Sequence, residues 1–261
     1  MRKINISFIG AGRVANILSK QLFLKGYHIV GFVSTEEKNG RNVASAVNAT
    51  WSSSMEFDDN VGLIIVAVSD RSLQKVLSEI NCFPHTMVVH TAGSYGLDVF
   101  ENTSILRKGV FYPLQTFSKE REISFDNLPF LIEASDEEGY LIMEDIIHEL
   151  GAVFFRMDLE NRKLYHLAAV FACNFTNYML TSGKRVVSTK DLPFDLLKPL
   201  VEETVNKAFE IGPEKSQTGP GIRKDINTLN KHRELLSFDH ELRQLYDRIT
   251  ESISRYYNND E

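Results

Sequence analysis

The sequence predicts an α/β protein: a doubly wound, mostly parallel sheet followed by an all-α C-terminal domain. Three observations carry that prediction. Short, nearly continuous apolar runs alternate with helix-like patterns as far as about Met157. Those runs lack the polar alternation of a half-exposed sheet, so both faces are expected to be covered. Beyond Met157 only helical stretches remain, broken at "STKDLP" and "IGPEKSQTGPG", where Gly and Pro cluster. The expected division is 1–157 for the sheet and 158–261 for the helices, joined at the start of a long helix.

Taken in order, the expected strands are Ile4–Ile9, His28–Val33, Leu63–Val68, Met87–Thr91, Gly109–Leu114, Phe130–Glu133 and Val153–Met157. Helices are expected between several of them at Val14–Lys25, Ser72–Ile80 and Glu137–Leu150. "LIIVAV" is the clearest central strand, and Asp70 beyond it suits an N-cap. After the sheet, helices are expected at Leu159–Val187, Asp195–Ile211, Thr228–Leu236 and Asp239–Tyr257. No internal repeat or low-complexity segment is evident.

The bulk properties exclude several classes. The chain has 261 residues, 43% of them hydrophobic and 25% charged, with a net charge of -6. An acidic balance argues against nucleic acid or an anionic membrane as partner. Cys82 and Cys173 are the two cysteines, which supports neither a disulfide framework nor a metal site. The apolar run of "MRKINISFIG" is too short for a signal peptide, and no stretch reaches transmembrane length, so a cytoplasmic protein is expected.

"GAGRVA" supplies the first functional pattern, Gly10-x-Gly12-x-x-Ala15, directly after a strand and opening a helix. The first glycine permits a tight turn, the second clears space for a pyrophosphate, and the small alanine lets the helix approach the sheet. The helix start offers backbone N–H groups and a positive dipole end. Gly10, Gly12, Arg13 and Val14, with Val68 and Ser69 at the end of a neighbouring strand, are therefore cofactor candidates. The second strand ends "GFVSTEEKNGR", where NAD-preferring proteins usually carry an acidic residue. Ser34 leaves room for a 2′-phosphate, and Lys38 or Arg41 would pair with it. Glu36 and Glu37 keep a ribose contact, and hence NAD, open. The expectation is NADP (or NAD).

Substrate candidates come from four places. The long helix "NRKLYHLAAVFACNFTNYMLTSGKR" carries His166, Asn174 and Asn177 in one sector, about 80° and 20° apart from His166 at α-helical pitch. Polar groups in so apolar a helix need partners or a wet cleft. His166 is then an acid/base candidate and Asn174 an orienting group; hydrogen-bonded packing is the alternative. "VVHTAGS" places His90 and Ser94 at a strand's carboxyl end, with a satisfied core histidine as the competing reading. Gln115 in "YPLQTF" follows the next strand. "QTGPGIRKD" presents Arg223 and Asp225, suited to a carboxylate or phosphate, unless Asp225 merely caps the following helix.

Together "FIGAGRVA", "HTAGSYG", "YPLQTF", "YHLAAVFACNF" and "TGPGIRKD" resemble an uncharacterised bacterial family of Rossmann-like proteins with a C-terminal domain of unknown function. That family lies within the 6-phosphogluconate dehydrogenase and ketopantoate reductase-like superfamily. The resemblance implies an NAD(P)-dependent oxidoreductase and a homodimer formed through the helical domain, with an alanine face on the long helix; the Arg223 loop points to a small, anionic substrate. Two departures matter. β-Hydroxyacid dehydrogenases and ketopantoate reductases share a Lys-x-x-x-Asn pair on this helix; with Asn174 as that asparagine, Val170 replaces the lysine. Tyr112-Pro113 stands where prephenate dehydrogenases carry His-Pro. Both leave a non-catalytic NADP-binding sensor as the alternative.

Overall fold

The central apolar runs form strands because each can be buried on both sides, whereas the last, Val153–Arg156, is exposed along its length against expectation. In the computed structural model, which describes residues 3–118, 121 and 123–258, β1 (Ile6–Ile9), β4 (Leu63–Val66) and β5 (Met87–His90) are buried at every position. With β2 (Ile29–Val33), β3 (Thr50–Ser52), β6 (Arg107–Pro113), β7 (Pro129–Ala134) and β8 (Val153–Arg156) they make one sheet ordered β3-β2-β1-β4-β5-β6-β7-β8. All pairings are parallel except β6 with β7. The doubly wound, mostly parallel arrangement is as predicted. Chain direction across the sheet reverses between β1 and β4, and ligands bind beyond the strand ends at such a point.

Two apolar clusters cover the faces. One joins Phe8, Phe32 and Phe130 to α1 (Arg13–Leu24), α2 (Glu37–Ser45) and α4 (Glu137–Leu150). The other joins Ile64 and Val88 to α3 (Asp70–Glu79) and a 3-10 turn at Leu97–Phe100. Strand β3 was not expected from the sequence, and neither was helix α2 after Ser34. Its Gly40 reads as a helix breaker, but a Cβ there would strike the Trp51 ring and the Ser34 hydroxyl. The short edge strand β3 lacks an apolar run because it is not fully buried.

The chain divides into two compact units, Met1–Phe171 and Ala172–Glu261. The first ends with α5 (Leu159–Ala169). The predicted continuous helix Leu159–Val187 is instead interrupted by a π-helical stretch, Val170–Phe175, before α6 (Thr176–Ser188). The second unit continues with α7 (Lys198–Ile211), α8 (Pro213–Ser216), α9 (Ile226–Leu235) and α10 (His240–Asn258). Among the described residues no helix is long and apolar enough to cross a membrane.

Candidate functional site

At the β1/β4 crossing the glycine turn has two distinct jobs. Gly10 sits at φ +103°, and its N–H donates to the Val33 carbonyl at 2.8 Å. A Cβ at this position would run into the Ala67 carbonyl, so only glycine fits. Gly12 is different: a Cβ there would meet no atom nearer than the Ala67 carbonyl oxygen at 4.0 Å. It is the N-cap of α1, without a side-chain cap or an acid in the first turn. By contrast α4 and α5 are capped by Asp136 and Asp158. The α1 N-terminus thus keeps the positive end that a phosphate suits. It opens on a cleft of about 320 Å³, lined among others by Gly10, Gly12, Ser34, Val68 and Ser69. These features fit a dinucleotide. The Val14 side chain packs on the core instead, leaving its backbone at the helix start, and Arg13 Nη1 donates to the Phe117 carbonyl at 3.4 Å.

At the end of β2, Ser34 Oγ donates to the Glu36 carbonyl at 3.2 Å and accepts from Trp51 Nε1 at 3.1 Å. Glu36 also lines the cleft, its carboxylate taking a 2.7 Å bond from Asn39. Arg41 lies one helical turn on; its Nε is 2.7 Å from Glu37, and its guanidinium rests 4.8 Å from the Trp51 ring centroid. Both members of that ion pair are exposed.

The carboxyl end of β5 and β6 assembles a second group. The Tyr112 hydroxyl lies 3.1 Å from Nδ1 of His166, which α5 presents on an exposed face. A Cβ on Gly93 would be 2.7 Å from the Tyr112 ring and 3.1 Å from that nitrogen, so Gly93 makes this approach possible. Burial raises the Tyr112 pKa; Asp70 adds to the rise and Arg162 opposes it. The phenol therefore keeps its proton at neutral pH. Ser94 donates to the Asp70 carboxylate. Asp70 is the first residue of α3, and Ser69, not Asp70, holds the N-cap position. One turn before His166, the fully buried Arg162 donates to the carbonyls of Met157 at 2.9 Å and Tyr95 at 2.7 Å, and pairs with Glu133 at 3.0 Å. These contacts fix the start of α5.

His90 is placed differently from His166. It is fully buried, stacked on Phe100, with Nδ1 accepting from the Ala92 N–H at 3.2 Å and Nε2 at 3.3 Å from the Gly96 carbonyl. Burial pushes its pKa down to about 4. With both nitrogens engaged, it is a neutral side chain that shapes the loop carrying Gly93 and Ser94, which fits the core-histidine reading. Gln115 folds back, its side-chain carbonyl accepting from the Thr116 N–H at 2.8 Å.

The remaining candidates belong to the second unit. Asn174 lies in the π-helical stretch, where α-helical spacing does not apply, and Asn177 in the first turn of α6. Arg223 is exposed on the loop between α8 and α9. Asp225 caps α9, accepting from the Thr228 N–H at 3.1 Å and the Thr228 hydroxyl at 2.7 Å, bonds that lower its pKa. Tyr112 was noted in the sequence only as standing where His-Pro occurs in the resemblance, and its contact with His166 is not readable from residues 54 apart.

Two families match the chain. "NADP oxidoreductase coenzyme F420-dependent" covers residues 5–93, and "Domain of unknown function (DUF2520)" covers 128–253. A solved structure described as putative NADP oxidoreductase BF3122 from Bacteroides fragilis is 37% identical, with a TM-score of 0.88 over 97% of this chain and 98% of that one. Protein TM1727 from Thermotoga maritima is 24% identical over 97% and 99%, with a TM-score of 0.78. An imine reductase from Myxococcus stipitatus in complex with NADP+ is 13% identical over 98% and 93%, with a TM-score of 0.67. The last two likenesses show the fold alone. No curated protein matches the sequence. The chain belongs to the family of the Bacteroides fragilis protein, in which an NAD(P)-dependent oxidoreductase-type Rossmann domain is followed by a domain of unknown function.

Proposed function

We propose that the protein is an NADP-dependent oxidoreductase acting on a small, anionic substrate by hydride transfer. The observation that carries this reading is the Gly10–Gly12 turn, with its uncapped helix opening on the cleft at the sheet's crossing point. Gly10, Gly12 and the backbone N–H groups of Arg13 and Val14 would hold the pyrophosphate, with Val68 and Ser69 along the same wall. Arg41 and the hydroxyl of Ser34 would meet a 2′-phosphate. The exposed pair that Arg41 makes with Glu37 is worth only about 0.5 kcal/mol, so a phosphate competes for the guanidinium with little penalty. The bound cofactor supplies the hydride chemistry; the chain supplies orientation and the proton.

The proton is assigned to Tyr112 and His166. The half-buried phenol gives its proton to the substrate oxygen or nitrogen, and the imidazole beside it restores that proton from solvent. This arrangement removes the need for the lysine that Val170 replaces. Ser94 is assigned to orient substrate and Gln115 to line its approach. Within the second unit, exposed Arg223 has the chemistry to meet a carboxylate.

Calorimetric titration with NADPH and with NADH tests the cofactor. NADPH is expected to bind, and Arg41→Ala to weaken it about tenfold while leaving NADH unchanged. Failure of either nucleotide to bind ends the reading. In a screen of carbonyl and imine acids, Tyr112→Phe should lower kcat by about 10²-fold or more. An unchanged kcat would remove Tyr112 from the proton path.

A further inference from the structure

We propose that the reacting end of the substrate is a C=N group carried as its cation, and that Asp70 and Ser94 select it over a carbonyl. The proposal rests on the oxidoreductase reading above and names the bond that is reduced.

Three contacts within the first unit tie a carboxylate to the proton donor. Ser94 Oγ donates to the Asp70 carboxylate. The residue before it, Gly93, is the one whose missing side chain lets Tyr112 and His166 meet: a Cβ there would stand 2.7 Å from the phenol ring and 3.1 Å from the imidazole nitrogen. The Tyr112 hydroxyl and His166 Nδ1 are in turn 3.1 Å apart. Two consecutive loop residues therefore border the acid on one side and the proton pair on the other. Asp70 is exposed, so a bound molecule can reach it. Its place as the first residue of α3 suits an anion, because the helix presents its positive end there. Burial raises the phenol's pKa, and the Asp70 charge raises it further, so that charge is felt at the proton donor.

The charge has the wrong sign for a carbonyl. Reduction of C=O gathers negative charge on oxygen, and a site built for it aims hydrogen-bond donors or a cation at that oxygen. Arg162, the cation that acts on the phenol, is fully buried and spends its guanidinium on the Met157 and Tyr95 carbonyls and on Glu133. Ser94 offers no donor either. A hydroxyl carries one proton, and this one is given to Asp70, which leaves only lone pairs for a substrate. Lone pairs and a carboxylate both favour a cation. An imine meets that demand, because it becomes positive as soon as its nitrogen is protonated.

The step balances with the groups already assigned. The imine nitrogen takes the Tyr112 proton. Hydride from the reduced dinucleotide reaches carbon, the π pair of the C=N bond settles on nitrogen, and an amine leaves with one dinucleotide oxidised. The phenolate regains its proton from solvent by way of His166. Asp70 exchanges no proton; it steadies the cation between the two transfers.

Matched probes in NADPH oxidation test this: pyrroline, its permanently charged N-methyl cation, and cyclopentanone, a ketone of the same ring size. Both C=N probes should be reduced, and the ketone about a hundredfold more slowly or worse. Asp70→Asn keeps an acceptor for Ser94 and should bind NADPH like the wild type, yet slow both C=N probes about tenfold or more. Tyr112→Phe should slow pyrroline about a hundredfold but spare the N-methyl cation, which needs no proton. Glu79→Gln, at the far end of α3, should change neither. A preference for cyclopentanone, C=N reduction indifferent to Asp70→Asn, or turnover of no probe by a protein that binds NADPH overturns the proposal and leaves the cofactor reading standing. Failure to bind NADPH overturns both.

Discussion

The two units bury apolar surface in opposite ways. In the first, β1, β4 and β5 are inaccessible along their whole length, and aromatic pairs such as Phe8 and Phe32, 5.1 Å apart, lock one face of the sheet. In the second, Leu200, Val205, Phe209 and Ile211 of α7 and Leu235 of α9 present apolar side chains outward. The first unit carries its own core, so its strand ends and turns are available for a ligand site. The second leaves such side chains uncovered within its own fold. Core truncations should therefore cost more in the first unit than in the second.

The sharpest way to break this contrast is a core truncation. Phe130→Ala removes a fully buried ring packed against Phe111 and Phe125 and should cost about 4 kcal/mol. In urea titrations that loss should be the same at low and high protein concentration. Concentration dependence of the Phe130→Ala loss would mean that the sheet unit does not stand alone. Next comes acid. His90 is neutral when folded, with its pKa depressed to about 4, while the unfolded side chain titrates near about 6.5. The unfolded chain binds the extra proton first, so stability is full above the unfolded value and falls as pH drops towards the folded one. The span amounts to roughly 3 kcal/mol, and His90→Phe should flatten the curve in this window.

Gly10→Ala should follow, at about 2 kcal/mol, because the positive φ and the Ala67 carbonyl both resist a side chain. Gly12→Ala provides its contrast. It should leave the melting temperature nearly unchanged yet weaken NADPH binding, since open space rather than packing surrounds it. Equal thermal losses in the two variants would refute that division of labour. A smaller loss than that of Gly10→Ala belongs to the α4 cap: Asp136→Ala removes a 2.7 Å bond to the Gly139 N–H and should cost about 1 kcal/mol in thermal unfolding.

What could be read in the sequence was whatever depended on local order. The boundaries of α4 agree with expectation because Asp136 caps it and Gly151, at φ +79°, ends it. The central strands were legible because burial on both faces leaves no polar interruption. Helix α2 was hidden because Gly40 serves Trp51, a neighbour in space rather than in sequence. The same limit governs the site. The glycine turn is contiguous and announces itself, whereas Tyr112 and His166 stand 54 residues apart and meet only once α5 is pinned by Arg162. Nor could periodicity place Asn174, since one π-helical stretch undoes the count.

Trp51 is the single tryptophan of the chain, and it is bonded to Ser34 at the wall of the cleft beside Gly10 and Gly12, with Arg41 against its ring. The molecule thus carries a native fluorophore beside its proposed cofactor site, with no second indole to blur the signal. A ligand settling against Ser34 or drawing Arg41 away changes the ring's surroundings, and a reduced nicotinamide nearby accepts its excitation energy. Occupancy of the cleft can then be followed optically, in unlabelled protein, before any substrate is known.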